Sequence, residues 1–468
     1  MTNYGFVNDK LRTIAKSSDS VSTTLDYDQY GRVTSKTDNS TNTVYGYDAN
    51  DRVNSIVHSR NSDNGVLHQE WYSYDAANNL QTKIVNSAAT SYTYDNIDQL
   101  LTEIGGGIND TYAYDAKGNR TSKISSGVTE LYTYDDADKL LTRGSTSYTY
   151  DACGRTKTIV GSGGTRTFTW DYEDRLTNLT GGGVPSTNYG YNGIGTRTSK
   201  SNSGGSRNYK RNGVGVTAPV LSDGVATMVP GIAEKSGGVT STIHSDRLGS
   251  MKGLSASGTL TDTVNYDAFG KVVARTGTNS TQKGFVSDEG YQEDGESGYK
   301  LLGHRYYDAE SGRFLSRDPI QNGCNWYTYC ENNPLVWVDP EGLQVAVGAG
   351  AGGLTVLAGE VAAGGGFNPV NDAIAAGILL FALVVLVADA LPKAKPIDWH
   401  DSTRNGKKNR NQDEQGKARQ TREQEAARAR NTPKVKNPRT QPDKTSEDYL
   451  RKGPKPKPGN IPKKKMEE

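Results

Sequence analysis

The sequence predicts a mainly β protein assembled from stacked antiparallel β-hairpins, and three observations carry that expectation. Apolar residues are only 33% of 468, and that share counts 27 Tyr against 7 Phe. Gly contributes 54 residues, the supply that many tight turns need. Two aromatics one residue apart, then Asp and a turn, recur in ten copies at a spacing near 20, three of which depart from the pattern at one position. This composition excludes a Leu-rich helical core, and a mean hydropathy of -0.71 excludes a multi-span membrane protein.

The repeat begins at Tyr4-Gly5-Phe6 and runs through Asp26-Tyr27-Asp28, Tyr45-Gly46-Tyr47-Asp48 and Tyr72-Ser73-Tyr74-Asp75. It continues at Tyr92, Tyr112, Tyr132 and Tyr148, and closes with Phe168-Thr169-Trp170-Asp171 and Tyr189-Gly190-Tyr191-Asn192. The second aromatic advances by 21, 20, 27, 20, 20, 20, 16, 20 and 21 residues. Chance does not hold such a period over ten copies, so each copy reads as one structural unit.

The chemistry of one unit explains its residues. Side chains alternate along a strand, so Tyr-x-Tyr sets two aromatics on one face. The Asp that follows accepts backbone N–H bonds and opens a turn. Three residues later stands Gly, Asn or Asp, as in Asp115-Ala116-Lys117-Gly118, which tolerates the positive φ of a hairpin turn. Arg or Leu then leads into the return strand. One such hairpin cannot bury enough surface by itself, but side-by-side stacking propagates through neighbour contacts. Tyr in place of Phe implies a half-wet face with the ring buried and the hydroxyl satisfied. The Tyr-Asp pairs read as architecture and carry no assigned chemistry.

Tyr-x-Tyr-Asp-x-x-Gly-Arg at this period resembles the YD repeats of Rhs proteins, teneurins and the C subunits of bacterial Tc toxins. After Tyr191 the repeat blurs and an ordered motif series follows. It comprises His244-Ser245-Asp246-Arg247-Leu248-Gly249, Tyr266-Asp267-Ala268-Phe269-Gly270 and Gly303-His304-Arg305-Tyr306-Tyr307-Asp308. It continues with Gly312-Arg313-Phe314-Leu315-Ser316-Arg317-Asp318-Pro319, Tyr327-Thr328-Tyr329 through Asn333-Pro334, and Asp339-Pro340-Glu341-Gly342-Leu343. This series is similar to the RHS repeat-associated core. The resemblance divides the chain into YD repeats over 1–204, the core over 205–343, a Gly/Ala-rich and apolar segment over 344–391, and a basic, Pro-rich variable tail over 392–468. It implies a spiralling β-shell segment closed at one end by the core.

The resemblance also implies self-cleavage after the final Asp-Pro-x-Gly-Leu, between Leu343 and Gln344. Its matching catalytic positions are Arg305 and Asp318, with Asp339 as a second carboxylate. The residue types suit peptide hydrolysis. One ionised Asp activates water and a protonated one donates a proton to the leaving group. Arg305 holds the ionised form or stabilises the oxyanion, and the event is a single turnover of an aspartic-type autoprotease. Arg317 stands where related sequences often carry Pro and adds a cation beside Asp318. The competing reading makes Arg305 and Asp318 a structural ion pair and Asp339-Pro340 a plain turn.

The charge balance sets the tail apart. Residues 392–468 hold 22 Lys+Arg and 11 Asp+Glu, a net +11, which leaves the rest of this +1 chain at -10. Ala373 to Ala388 is a 16-residue uncharged run, shorter than a bilayer span needs, and reads as a short apolar helix or membrane-contacting segment. The basic tail reads as disordered, with nucleic-acid or anionic-lipid contact as the alternative. Trp399-His400-Asp401 carries too few ligands to read as a nuclease centre, so no turnover activity is identified in the tail. Neither Cys153, Cys324 and Cys330 nor the dispersed His58, His68, His244, His304 and His400 form a ligand set in sequence, and no cofactor is expected. No basic segment followed by an apolar run opens the chain, and its start inside a repeat unit reads as a truncated frame.

The resulting expectation is an Rhs-family polymorphic-toxin piece, used in interbacterial competition. Its shell encloses or presents a variable effector that self-cleavage frees. The expected location is secreted or at the cell surface. Candidate partners are an immunity protein and a secretion-apparatus or upstream shell component. The alternatives are a non-catalytic surface YD-repeat protein binding partners or carbohydrate, and a nucleic-acid binder acting through its tail.

Overall fold

The computed structural model describes residues 2–8, 10–277 and 281–348, all within one unit, Met1–Leu391. The expected apolar helix at 373–388 and the basic tail lie outside the described residues. Strands from Asn3 to Asn208 form a 21-stranded antiparallel sheet in which each strand pairs with its neighbours in sequence. An eight-stranded sheet follows over Lys210–Thr276, then a four-stranded sheet over Gln292–Phe314 and a strand pair, Trp337–Val338 with Ala346–Val347. Among the described residues the only helical segments are three short 3₁₀ turns. The chain is therefore mainly β, as its composition implies.

The unit around Tyr112 shows how the repeat works. Strand Ile108–Tyr114 leads into the Asp115 turn and returns as Arg120–Ser125. Tyr112 is buried, and Asp115 Oδ1 accepts the N–H groups of Lys117 and Asn119 at 2.9 Å each. The same paired acceptance recurs from Asp28 to Asn192. The fourth turn residue takes a φ between 59° and 90° in these nine copies, whether it is Gly, Asn or Asp. Two turns that the sequence pattern obscured, at Asp246 and Asp267, have the same bonds. The turn thus persists past the point where the aromatic repeat fades.

The second aromatic locks one unit to the last. Tyr114 donates its hydroxyl to the Leu100 carbonyl at 2.9 Å, at the start of the preceding return strand. Nine of the ten units make this bond at 2.6–3.0 Å, with Trp170 using its indole N–H and only Phe6 lacking a donor. A one-residue register shift accompanies it, as between Ala113 and Tyr114. That bulge was not legible in the pattern. It tilts the ring toward the preceding unit. Side chains one position past the turn form a second ladder, with Arg32 reaching Asp51, Asn79 reaching Asp98 and Asn119 reaching Asp138.

The sheet is one-sided. Tyr132 is 5% exposed while Leu131 beside it is 62% exposed. Residues 226–335 cover the buried face along its length. Val229 and Ile232 pack on Leu11 and Leu25, Phe269 and Leu335 on Tyr72 and Tyr112, and Tyr299 and Tyr306 on Phe168 and Tyr189. Charges are buried in the seam as well. Arg197, 1% exposed, is held by Asp294 at 3.1 Å, by Gln292 and by the Tyr306 hydroxyl. Three of the dispersed histidines meet here, with the His58 ring 4.8 Å from His244 and 5.9 Å from His68. Burial holds the pKa values of His58 and His244 down, so both stay neutral.

These contacts set measurable stabilities. Tyr114→Phe should lower stability by about 1 kcal/mol in urea unfolding, because one hydrogen bond is lost and a carbonyl is left unpaired. Asp115→Ala removes the acceptor for two turn amides and should cost about 2 kcal/mol. Glu103 is fully buried, and desolvation with the nearby Asp267 charge pushes its carboxyl up to about 8. A raised carboxyl contributes stability below the unfolded value of about 4.3 and loses it as pH climbs to 8. Glu103→Gln should therefore gain on the wild type between pH 5 and 8, and the gain should level off above that.

Candidate active site

The site is built where two backbone turns press together. Strands Lys300–Leu302 and Arg305–Asp308 are joined by Gly303-His304, and Gly303 has a φ of 49°. A Cβ on Gly303 would stand 2.4 Å from the Glu341 carbonyl oxygen, and one on Gly342, at φ 66°, 2.3 Å from the Leu302 oxygen. Only glycine permits this approach at both positions. The His304 N–H donates to the Glu341 carbonyl at 2.8 Å, and Gly342 N–H closes the Asp339–Gly342 turn at 3.2 Å. The Asp-Pro-x-Gly segment is thereby clasped against the hairpin that carries Arg305.

Arg305 is the hub. It is 4% exposed, with its guanidinium carbon 3.6 Å from the centroid of the Phe314 ring. Its Nε donates to the Gly342 carbonyl, Nη1 to the Trp326 carbonyl at 3.1 Å and Nη2 to Asp339 Oδ2 at 3.2 Å. Nη2 also lies 3.8 Å from Asp318 Oδ2. One cation therefore faces both carboxylates, and Arg305, Asp318 and Asp339 meet in space.

Asp339 reaches the other way to residues 343 and 344. Its Oδ1 accepts the Leu343 N–H at 2.9 Å and the Gln344 N–H at 3.1 Å. Burial pushes its carboxyl up to about 6, against the pull of Arg305 and of these two amides. Asp318 is also buried, and its Oδ1 accepts the Ile320 N–H at 3.0 Å. Arg317 beside it is exposed, and its stem passes the Gly154 turn.

The supporting residues were not singled out from the sequence. The Asp339 N–H donates to the Tyr291 hydroxyl at 2.7 Å, and that hydroxyl contacts Tyr329 at 3.0 Å. Residues 325–333 form a strap across the repeat turns. Asn325 bonds Asn119, Tyr327 bonds the Gly154 carbonyl, Asn332 the Gly118 carbonyl and Asn333 the Asn79 side chain. This strap fixes Trp326, whose carbonyl holds Arg305. The Tyr327-to-Asn333 motif was visible as a motif, but its role depends on turns some two hundred residues away. Cys330 is buried among these groups, while Cys153 and Cys324 are exposed. Among the described residues no group of three or more His, Cys, Asp or Glu is arranged to hold a metal ion.

Comparison with known proteins places this architecture. Residues 64–209 match the Teneurin YD-shell family and residues 27–63 the RHS repeat family. The chain is 36% identical over 96 residues to the tRNA nuclease WapA of Bacillus subtilis (strain 168), an alignment covering 19% of this chain and 4% of WapA. It is 39% identical over 85 residues to the double-stranded DNA deaminase toxin A of Burkholderia cenocepacia (strain H111), covering 17% of this chain and 6% of the toxin. The chain thus spans only a small part of the length of these relatives. The Photorhabdus luminescens Tc holotoxin pore shares the fold, with a TM-score of 0.59 at 19% identity over 73% of this chain and 21% of that one. The repeat turns and aromatic clamps over residues 27–209 thus form RHS and YD-shell repeats, a shell related to those of toxin proteins.

Proposed function

We propose that the chain is a toxin-shell piece that encloses or presents a variable C-terminal effector and severs its own backbone between Leu343 and Gln344. The observation that carries this reading is Asp339 Oδ1 lying 3.1 Å from the Gln344 nitrogen, within a carboxylate–arginine–carboxylate cluster. In the proposed step Asp318 removes a proton from a water. The water oxygen bonds to the Leu343 carbonyl carbon, and Arg305 opposes the charge that develops there. The carbon–nitrogen bond then breaks as Asp339 protonates the leaving nitrogen. The products are a carboxyl on Leu343 and an amine on Gln344. Proximity supplies much of the rate, because the substrate is already seated.

In this reading the domain limits are 1–204, 205–343, 344–391 and 392–468, and the segment after the cut is the effector. The protein works outside the cell or at its surface, in competition between bacteria. It acts with a secretion-apparatus or upstream shell component, and the producing cell holds an immunity protein. Relatives bearing nuclease and deaminase-toxin names support a place for the chain among toxin proteins.

Two measurements test the cut. Mass spectrometry of purified protein should find fragments 1–343 and 344–468, and an intact wild-type chain defeats the proposal. Asp318→Asn and Asp339→Asn should each slow the cut by about 10²–10⁴-fold while the protein still folds. The acid must be protonated to act, and Asp339 titrates at about 6. Above that pH the rate should fall about tenfold per unit, and a rate that is flat between pH 6 and 8 removes Asp339 from the acid role.

A further inference from the structure

Three neighbouring strands of the repeat sheet bring a lysine and two carboxyls together on the buried face. Glu103 lies on strand Leu100–Gly105, Asp110 on Ile108–Tyr114 and Lys123 on Arg120–Ser125. Glu103 stands directly across the ladder from Asp110, and Lys123 across from Tyr112. Directly opposed side chains share one face, with Cβ atoms about 5 Å apart. Lys123 Nζ lies 2.8 Å from Asp110 Oδ2 and 3.5 Å from Asp267 Oδ2. Asp110 and Glu103 are buried, and the Tyr112 ring centroid is 5.5 Å from Nζ, with Phe269 packed edge-on against that ring. Glu103 Oε2 accepts the Ala268 N–H at 2.8 Å, while Oε1 is buried without a partner. The proposed cut uses none of these groups.

We propose that Lys123 and Asp110 join in an amide bond within the folded shell, with Glu103 relaying the proton. The starting pair is an ammonium and a carboxylate. Burial works against the Lys123 charge, and Asp267 and Asp110 outweigh it, so the amine is held as a cation until a proton moves. Asp110 takes that proton across 2.8 Å, leaving a neutral amine and a neutral carboxyl, the forms that a dry site penalises least. The amine nitrogen bonds to the Asp110 carboxyl carbon. One carboxyl oxygen then leaves as water, taking a proton from Glu103, which recovers one from the new amide nitrogen. Glu103 suits this relay because desolvation and the Asp267 charge push its carboxyl up to about 8, so it carries a proton at neutral pH. Ammonium and carboxylate become amide and water, and no oxidant or activating group is needed. In bulk water this condensation is unfavourable, but here it removes two desolvated charges and starts from reactants already in contact. Where the same positions recur as Glu130 and Arg143, the cation is a guanidinium 3.9 Å away, which stays protonated and cannot follow this route. The new bond would close the loop of residues 110–123, so this hairpin could not unzip and its unfolded chain would have less freedom to gain.

The test is tryptic digestion and mass spectrometry of the full-length protein, read over residues upstream of the proposed cut so that either outcome there leaves this result intact. Trypsin should leave Lys123 uncleaved and yield a branched peptide joining residues 84–117 to 121–139, lighter by one water than the two parts. Lys123→Arg keeps the cation and should give only unbranched peptides. Glu103→Gln keeps the shape of the relay without its acid, and should form the branch at least about tenfold more slowly after refolding. Folded wild type that yields only separate peptides overturns the proposal. A branch that maps to Asp267 overturns the choice of Asp110, and an unchanged rate in Glu103→Gln overturns the relay. The wild-type digest decides by itself should a variant fail to fold.

Discussion

Nine of the ten repeat units are held by the same small set of bonds, and the rest of the molecule depends on their repetition. An Asp gathers two turn amides, and the aromatic before it spends its hydroxyl or indole N–H on a carbonyl of the unit behind. A lone two-stranded hairpin is marginal in water, so the repeat gains stability by stacking. Because the clamp is one hydrogen bond to a main-chain carbonyl, it tolerates Trp for Tyr and a spacing of 16 or 27 in place of 20. Regularity of bonding therefore exceeds regularity of sequence.

A sheet with one aromatic face needs a cover, and the core segment supplies it from within the same chain. The contacts are apolar in the main, yet buried charges sit along the seam. Arg197 with Asp294, and Lys123 with Asp110 and Asp267, are pairs that packing alone does not require. Such pairs are poor sources of net stability, because desolvation offsets their attraction, but they penalise any docking that leaves one partner alone. Their place here fits a register device for seating a long segment on a repetitive surface, where neighbouring units offer near-equivalent contacts.

The candidate site inherits its geometry from that seating. The strap over residues 325–333 is pinned to the turns of separate repeat units and presents one carbonyl to Arg305. The opposed turns at Gly303 and Gly342 bring the Asp339 carboxylate to residues 343 and 344. Ordering these two glycines and burying two carboxylates around one guanidinium are costs that the surrounding core must overcome. Paired carboxylates of this kind are suited to splitting acid and base roles.

Much of this was legible in the residues alone. Tyr-x-Tyr-Asp and the small or polar fourth turn residue encode local geometry, and local geometry is what short-range pattern can specify. Arg305, Asp318 and Asp339 were named from motifs, but nothing local says that they share one guanidinium, since they are spread over 34 residues and three elements. The register shift at each second aromatic, the meeting of His58 with His244 and the strap across distant turns were invisible for the same reason. They arise from pairing and docking between segments up to 254 residues apart, and only the folded chain brings those segments together. Sequence therefore determined the repeating unit and its turn chemistry. Tertiary structure decided the seam, the clasp and which groups face the bond after Leu343, because each of these is a contact between elements and not a property of any one of them.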